Sequence, residues 1–383
     1  MSYETKGNRQ MVIMDILSTN QGAYRLVKNR ARIINQTHTN YIVCPEGEFT
    51  QSIIDSGAPV ISYDIKRELG LSTMKEIMAL LRILKEYNPD VVHSHNSKTG
   101  AITRMAAYLY NKRNKRKILV IHQVHGYYFN GVSGLKGTIY KTIEKLLARF
   151  TDVLLFQNLT ELAMSRGMKM DRHARLEYIA NGISFDEFEG VRRNQPDGGN
   201  VFNMLTIARI ERVKNQQQII DGLNLLVNLQ NRKNIMLYLI GEQSNDYHQE
   251  ITQQIRRYHL ENHVTFTGML DREALMGYFS RGDLSVLTSI KEGKPRAIME
   301  SLYVGIPCIG TDVTGTNEVI INDLNGYLIP LNDASALADR IAQLMDNPET
   351  RNRLSQNATA YAKEHFDERQ VIARLLELYE GNF

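Results

Sequence analysis

Two cysteines in 383 residues, Cys44 and Cys308, are too few for a disulfide framework or a four-thiolate zinc site, and each lies in an apolar run as a core thiol would. No stretch approaches the roughly 20 consecutive apolar residues of a membrane-spanning helix. No two glycines are separated by a single residue, so the Gly-x-Gly of a dinucleotide-binding turn is missing. Gly-Lys-Ser/Thr is missing too, which removes the P-loop and with it the NTPase class. Asp-x-Asp is absent, so the commonest carboxylate pair for holding a metal–diphosphate complex is not available. If a diphosphate binds here, cations of the chain must balance it. The polar start, Ser2 to Gln10, lacks the charged-then-apolar architecture of a secretion signal, so a cytoplasmic location is expected.

What is present is a globular chain of 43% hydrophobic and 23% charged residues, long enough for two domains. The formal charge of +4 does not by itself indicate nucleic acid, and none is expected as a partner. The excess is concentrated: Lys112, Arg113, Lys115, Arg116 and Lys117 sit within one short segment, which reads either as a solvated loop or as a surface attracted to anions such as lipid headgroups.

Short β-branched runs alternate with helical patterns: Val12 to Leu17, Tyr41 to Cys44, Val60 to Tyr63, Val91 to His93, Ile118 to His122 and Val153 to Phe156. Strand-then-helix repetition predicts a parallel sheet covered on both faces. The series restarts with Met204 to Ala208, Ile235 to Ile240, Val264 to Phe266, Leu284 to Thr288 and Pro307 to Gly310. Between the series, residues 191–200 are the most linker-like by their Pro, Gly and Asn content. The expected organisation is a first domain over 1–190, a second over 200–365 and a C-terminal helix over 366–383 packing back on the first. In such sheets ligands bind beyond the carboxyl ends of the strands, so a cleft between the domains is the natural active site.

The strongest constellation is Lys291-Glu-Gly-Lys-Pro-Arg-Ala-Ile-Met-Glu300, which follows a strand and sets Glu292 and Glu300 at opposite ends of one strand-to-helix turn. Such a turn offers backbone N–H groups to an anion, and each carboxylate can accept from sugar hydroxyls. Arg209 and Lys214 follow the first strand of the second series, and both could reach a diphosphate. Gly310-Thr-Asp-Val-Thr-Gly-Thr-Asn-Glu318 adds a small-residue turn at the same edge. His93, His95, His122 and His125 end neighbouring strands, but no carboxylate or thiolate motif at ligand spacing accompanies them, so no metal is expected. No cofactor motif is visible.

With Val92-His-Ser-His-Asn-Ser-Lys98, His122-Gln-Val-His-Gly126, Ala180-Asn-Gly-Ile183, Gly241-Glu242 and Phe266-Thr-Gly268, these residues make the chain resemble the retaining nucleotide-sugar glycosyltransferases of family 4. The Glu-Gly-x-Pro-Arg form is similar to that of enzymes building capsule, O-antigen or other lipid-linked glycans. The resemblance implies an α/β chain of the GT-B fold, two Rossmann-like doubly wound parallel-sheet domains facing a central cleft. It also implies a UDP-sugar donor, a lipid-linked glycan acceptor and no cofactor. Arg209 and Lys214 match the cations that stabilise the leaving diphosphate without a metal. Glu300 matches the acceptor of the ribose hydroxyls, Glu292 the carboxylate near the donor sugar, and His125 the histidine near the reacting carbon. Around the donor, the same resemblance places Gly22, Gly241, Thr267, Gly293, Lys294, Pro295, Arg296 and Ala297, and on the acceptor side His95 and Tyr127. Two departures are visible: only Gly22 stands where the family carries a Gly-Gly pair, and Ser301 replaces an alanine. A nucleotide-sugar 2-epimerase of the same fold and a non-catalytic nucleotide-sugar-binding module are the rival readings.

Leu135 to Phe150 reads as an amphipathic helix, with Ile139, Ile143, Leu146, Leu147 and Phe150 on one face and Lys141, Lys145 and Arg149 opposite. With the basic segment before it, this helix suggests peripheral binding to an anionic membrane on the inner face of the cell.

Overall fold

The computed structural model describes residues 9–65, 73–127, 129, 134–191, 201–243 and 246–381. The chain divides into two units, one of residues Met1–Ala180 with Gln370–Phe383 and one of Asn181–Arg369. The segment 181–190, expected in the first domain, thus belongs to the second unit. Of the linker-like stretch, residues 192–200 lie outside the described residues.

Unit 1 holds a parallel sheet of seven strands: β1 (Val12–Ile16), β2 (Thr39–Cys44), β3 (Val60–Ser62), β4 (Val91–His95), β5 (Leu119–Val124), β6 (Val153–Phe156) and β7 (Arg175–Tyr178). Their order is β3-β2-β1-β4-β5-β6-β7, the doubly wound pattern in which the chain reverses direction between β1 and β4. Nearly every position of β1, β4 and β6 is buried, as expected of central strands covered on both faces. The helix Glu368–Tyr379 closes one face, where Ile372, Leu375, Leu378 and Tyr379 pack with Ile13, Val91, Ile121, Val153 and Leu155. Spacing at i, i+3, i+6 and i+7 puts those four side chains on one stripe of the helix.

Unit 2 holds six strands: β8 (Phe202–Ile207), β9 (Ile235–Ile240), β10 (Val264–Gly268), β11 (Leu284–Leu287), β12 (Cys308–Thr311) and β13 (Gly326–Ile329), in the order β10-β9-β8-β11-β12-β13 and all parallel. β7 and β13 escape the sequence reading for different reasons. β7 is an Arg-Leu-Glu-Tyr edge strand whose side chains are largely solvated, so its apolar signal is weak. β13 begins at Gly326, where a Cβ would lie 1.9 Å from the carbonyl oxygen of Cys308; the glycine that breaks the strand pattern is what permits the close pairing.

Candidate functional site

In unit 2 the strand-to-helix turn after β11 is built backbone on backbone. Gly315 adopts φ +84° beside the turn, and a Cβ there would meet the carbonyl oxygens of Gly293 at 2.4 Å and Glu292 at 2.6 Å. The Glu292 N–H donates to the Thr314 carbonyl at 3.2 Å, joining the two small-residue turns expected at this edge. Gly241 does the same for the neighbouring strand, since a Cβ on it would lie 2.2 Å from the Ala208 carbonyl oxygen, just before Arg209. Thr267 sits at a register irregularity of β10, its hydroxyl donating to the Gly268 carbonyl.

Onto this frame the structure brings Lys214 and Glu292, 78 positions apart in sequence. Lys214 Nζ donates to Glu292 Oε1 at 2.7 Å, and the Ser289 hydroxyl donates to the same oxygen. Both side chains are largely buried, so this is a well-formed pair rather than a solvated one. Arg209 is 56% exposed and pairs with Glu211 at 2.9 Å. At the other end of the turn, Pro295 precedes the helix Arg296–Tyr303, in which Ile298, Met299 and Leu302 face the core. On that helix Arg296 Nε donates to Glu300 Oε1 at 2.8 Å and its Nη2 lies 3.5 Å from Glu187 Oε2, while Arg272 also pairs with Glu187. Ala297 accepts from Ser301, whose hydroxyl also meets Ser285 of β11; the alanine-to-serine departure is accommodated by these two bonds. Lys294, expected near the donor, is instead turned into unit 2, its ammonium 5.6 Å from the Phe366 ring centroid. Burial pulls its pKa down, and Glu318 only partly offsets that shift.

In unit 1 the expected residues fare unevenly. Gly22 lies in the first turn of the helix Asn20–Leu26, where its N–H donates to the Thr19 hydroxyl at 3.1 Å. His95 and Tyr127 are buried. The Tyr127 hydroxyl meets Ser165 at 2.8 Å inside the core, which is no position for an acceptor contact. His125 is half-buried, with both ring nitrogens engaged by protein: Nε2 lies 2.9 Å from His95 Nδ1 and Nδ1 lies 2.8 Å from Gln157 Nε2. Burial, reinforced by His95 and Arg30, pushes its pKa down to about 3.

Asp15, His93 and His95 bring three ligand atoms within 4.8 Å of one another, an arrangement to be tested as a metal site. The donor set does not suit a cation. Arg30 donates to Asp15 Oδ1, and its Nη2 lies 3.2 Å from His95 Nε2, so a fixed guanidinium already stands against the only carboxylate. Asp15, Arg30, Gln157 and Ser289 were missed from sequence. A signal existed for two of them: Asp15 is the one charged residue within the apolar run Val12 to Leu17, and Gln157 directly follows the run Val153 to Phe156.

Residues 189–361 match the model of glycosyl transferases group 1, and residues 28–182 match the glycosyl transferase 4-like domain. The chain is 26% identical over 362 residues to the UDP-Gal:α-D-GlcNAc-diphosphoundecaprenol α-1,3-galactosyltransferase of Escherichia coli, covering 88% of each chain. It is 21% identical over 355 residues to the N,N'-diacetylbacillosaminyl-diphospho-undecaprenol α-1,3-N-acetylgalactosaminyltransferase of Campylobacter jejuni, covering 89% of this chain and 90% of that one. Among solved structures, Anabaena Alr3699/HepE in complex with UDP and glucose superposes with a TM-score of 0.80 at 19% identity, covering 97% of this chain and 100% of that one. Two parallel Rossmann-like sheets, the Glu292-to-Glu300 turn with its cations and these matches together place the chain among the GT-B glycosyltransferases of family 4.

Proposed function

We propose that the protein is a retaining, metal-independent hexosyltransferase that moves a hexose or N-acetylhexosamine from a UDP-sugar to a lipid-linked or polysaccharide acceptor in surface-glycan synthesis. The observation that carries this reading is the Lys214–Glu292 pair, which sets a cation and a hydroxyl acceptor side by side at the carboxyl edge of unit 2. Glu292 Oε1 is anchored by Lys214 and Ser289, and Glu300 Oε1 by Arg296. The second oxygen of each carboxylate then serves sugar and ribose hydroxyls. Lys214 and Arg209 would exchange carboxylate for diphosphate when the donor binds and would stabilise the charge that develops on it as the glycosidic bond breaks. In that front-face displacement the leaving phosphate takes the proton of the acceptor hydroxyl. The names of the relatives from E. coli and C. jejuni, with their undecaprenyl diphosphate-linked sugars, support the acceptor class.

A peripheral membrane position belongs to the same reading. Lys112, Arg113, Lys115, Arg116 and Lys117 are all exposed, as are Lys141, Lys145 and Arg149. The helix Gly134–Leu147 is rotated from the expected orientation: Gly137, Glu144 and Leu147 are its buried residues, while Leu135, Ile139 and Leu146 are 78%, 49% and 49% exposed. On the inward face Glu144 meets Arg104 in a 2.9 Å ion pair. Outward apolar side chains among lysines suit an anionic bilayer, and among the described residues no helix is long and apolar enough to cross one.

The test is UDP release from UDP-hexoses with and without an undecaprenyl diphosphate-linked sugar, followed by NMR of the new linkage. Acceptor-dependent release with an α-linked product is expected, and EDTA should leave the rate unchanged. Acceptor-independent conversion of the sugar would indicate the 2-epimerase, and donor binding without turnover the silent module.

A further inference from the structure

On one face of the unit 1 sheet the side chains change from apolar to polar as the strands approach their carboxyl ends. Ile13 gives way to Asp15 on β1, Val91 to His93 and His95 on β4, Ile121 to His125 just past β5, and Leu155 to Gln157 just past β6. These four strands are neighbours in the order β1-β4-β5-β6, about 4.8 Å apart, so each polar side chain can touch the next. They form one chain: Asp15 Oδ1 to His95 Nε2 at 3.0 Å, His95 Nδ1 to His125 Nε2 at 2.9 Å, and His125 Nδ1 to Gln157 Nε2 at 2.8 Å.

Elementary hydrogen-bond chemistry assigns every proton in that chain from its Asp15 end. Burial pushes the Asp15 carboxyl up, but Arg30 and the bonds from His95 and Asn40 outweigh it and hold it below the ordinary value. Two groups face His95 Nε2, Asp15 Oδ1 at 3.0 Å and Arg30 Nη2 at 3.2 Å; Arg30 already donates to Asp15, and the nearer carboxylate only accepts, so the assignment that serves both puts the His95 proton on Nε2 and leaves Nδ1 bare. Bare Nδ1 accepts, so His125 donates from Nε2 and its own Nδ1 is bare. That last nitrogen is met by the amide nitrogen of Gln157, which only donates. Both ring nitrogens of His125 are thereby used up within the protein.

We propose that Asp15, His95 and Gln157 are positioning residues that hold His125 as a neutral imidazole with its proton on Nε2, so that His125 serves sugar transfer through its fixed ring and backbone and not as an acid or base. What His125 is used for rests on the function proposed above; its tautomer does not. The surroundings agree from every side. Arg30 approaches from the helix Lys28–Ile34, and Tyr379, from the C-terminal helix, binds His93 Nδ1 at 2.7 Å. The Arg30 guanidinium and the burial of the ring disfavour a positive charge on His125, and Asp15, the carboxylate at the end of the chain, is already paired with Arg30.

The experiment is a side-chain nitrogen correlation spectrum of the full chain labelled with 15N-histidine, recorded between about pH 5.5 and 8.5, where an ordinary histidine titrates. His125→Asn identifies the signals. A protonated Nε2 and a bare Nδ1, unchanged across the range, are expected. An ordinary midpoint near 6.5, or a bare Nε2, would overturn the proposal. Gln157→Glu sets an acceptor-only carboxylate against Nδ1 and should bring His125 to double protonation within the same range. The donor-sugar KM should change little, while kcat falls about tenfold where His125 is charged. If that variant does not fold, Gln157→Met decides: the proton stays on Nε2 because Asp15 sets the order, and a switch to Nδ1 would refute that order. None of the spectra requires donor or acceptor, so an absence of transfer would count against the proposed function alone.

Discussion

At the scale of the residue, Glu292 has most at stake. Its Oε1 is held by Lys214 and Ser289, so Glu292→Gln sets an amide against an ammonium and replaces a hydroxyl acceptor by a donor. The fold should survive, because one oxygen remains to accept. Turnover should fall about 30- to 1000-fold, the equivalent of about 2–4 kcal/mol of transition-state stabilisation. Near wild-type kcat in the UDP-release assay would remove the assigned role. Arg209→Ala and Lys214→Ala should each cost at least about tenfold in kcat, a charge-assisted hydrogen bond to phosphate contributing about 1.5–3 kcal/mol. Lys214→Ala should cost stability as well, since it leaves Glu292 without its cation; exposed Arg209 should not. Comparing their unfolding midpoints separates the two. Residue types and spacing singled out Arg209, Lys214, Glu292 and Glu300 beforehand, and folding pairs two of them, Lys214 with Glu292. They could not show that Lys294 turns inward or that Gly22 spends its N–H on Thr19, because both outcomes depend on neighbours brought by folding.

At the scale of the element, the turn after β11 depends on a glycine from a different loop. Gly315→Ala forces a Cβ to within 2.6 Å of two backbone carbonyl oxygens at φ +84°, so the turn must shift and Glu292 with it. A loss of at least about 1–2 kcal/mol in stability together with a large drop in kcat is expected. Gly190→Ala is the control: its φ is +86° but no atom lies within 4 Å of the added Cβ, so it should cost about 1 kcal/mol and leave kcat unchanged. Equal kinetic effects of the two would show that the contact with the Glu292 turn is irrelevant. The helix Gly134–Leu147 teaches a related lesson. Periodicity identified it, but the face that turns inward carries Glu144, paired with Arg104 from another helix, a partner that periodicity does not show.

For the whole molecule, the buried histidines predict how stability follows pH. His93, His95, His122 and His125 all titrate below the ordinary value, burial being the largest cause at each. The folded chain therefore keeps them neutral, while the unfolded chain takes up protons below about pH 6.5. Stability is complete above about pH 7 and declines as pH falls from there toward the folded values, by up to about 1.4 kcal/mol per pH unit for each histidine. Asp15 acts lower: its depressed pKa stabilises above about pH 3.9 and that contribution disappears as pH falls further. Thermal unfolding between about pH 7.5 and 5.5 should show a falling midpoint; a flat profile would contradict the neutral, buried cluster. The basic surface gives a second expectation. Co-sedimentation with anionic vesicles should exceed that with neutral ones, weaken with salt, and drop when Lys112, Lys115, Lys117, Lys141 and Lys145 are replaced by Glu, each cation contributing about 1 kcal/mol near the bilayer. Equal, weak sedimentation with both vesicle types would remove the membrane from the proposal.

By itself the sequence determined the alternation of strand and helix, the two parallel sheets, and the residue types gathered at their carboxyl edges, because hydrophobic periodicity and turn chemistry are local properties of the chain. Tertiary structure decided what local patterns do not encode. It joined Lys214 to Glu292 across 78 residues and assigned residues 181–190 to the second unit. It also strung Asp15, His95, His125 and Gln157 into one line, because parallel strands far apart in sequence come to lie side by side and bring their ends within hydrogen-bond reach.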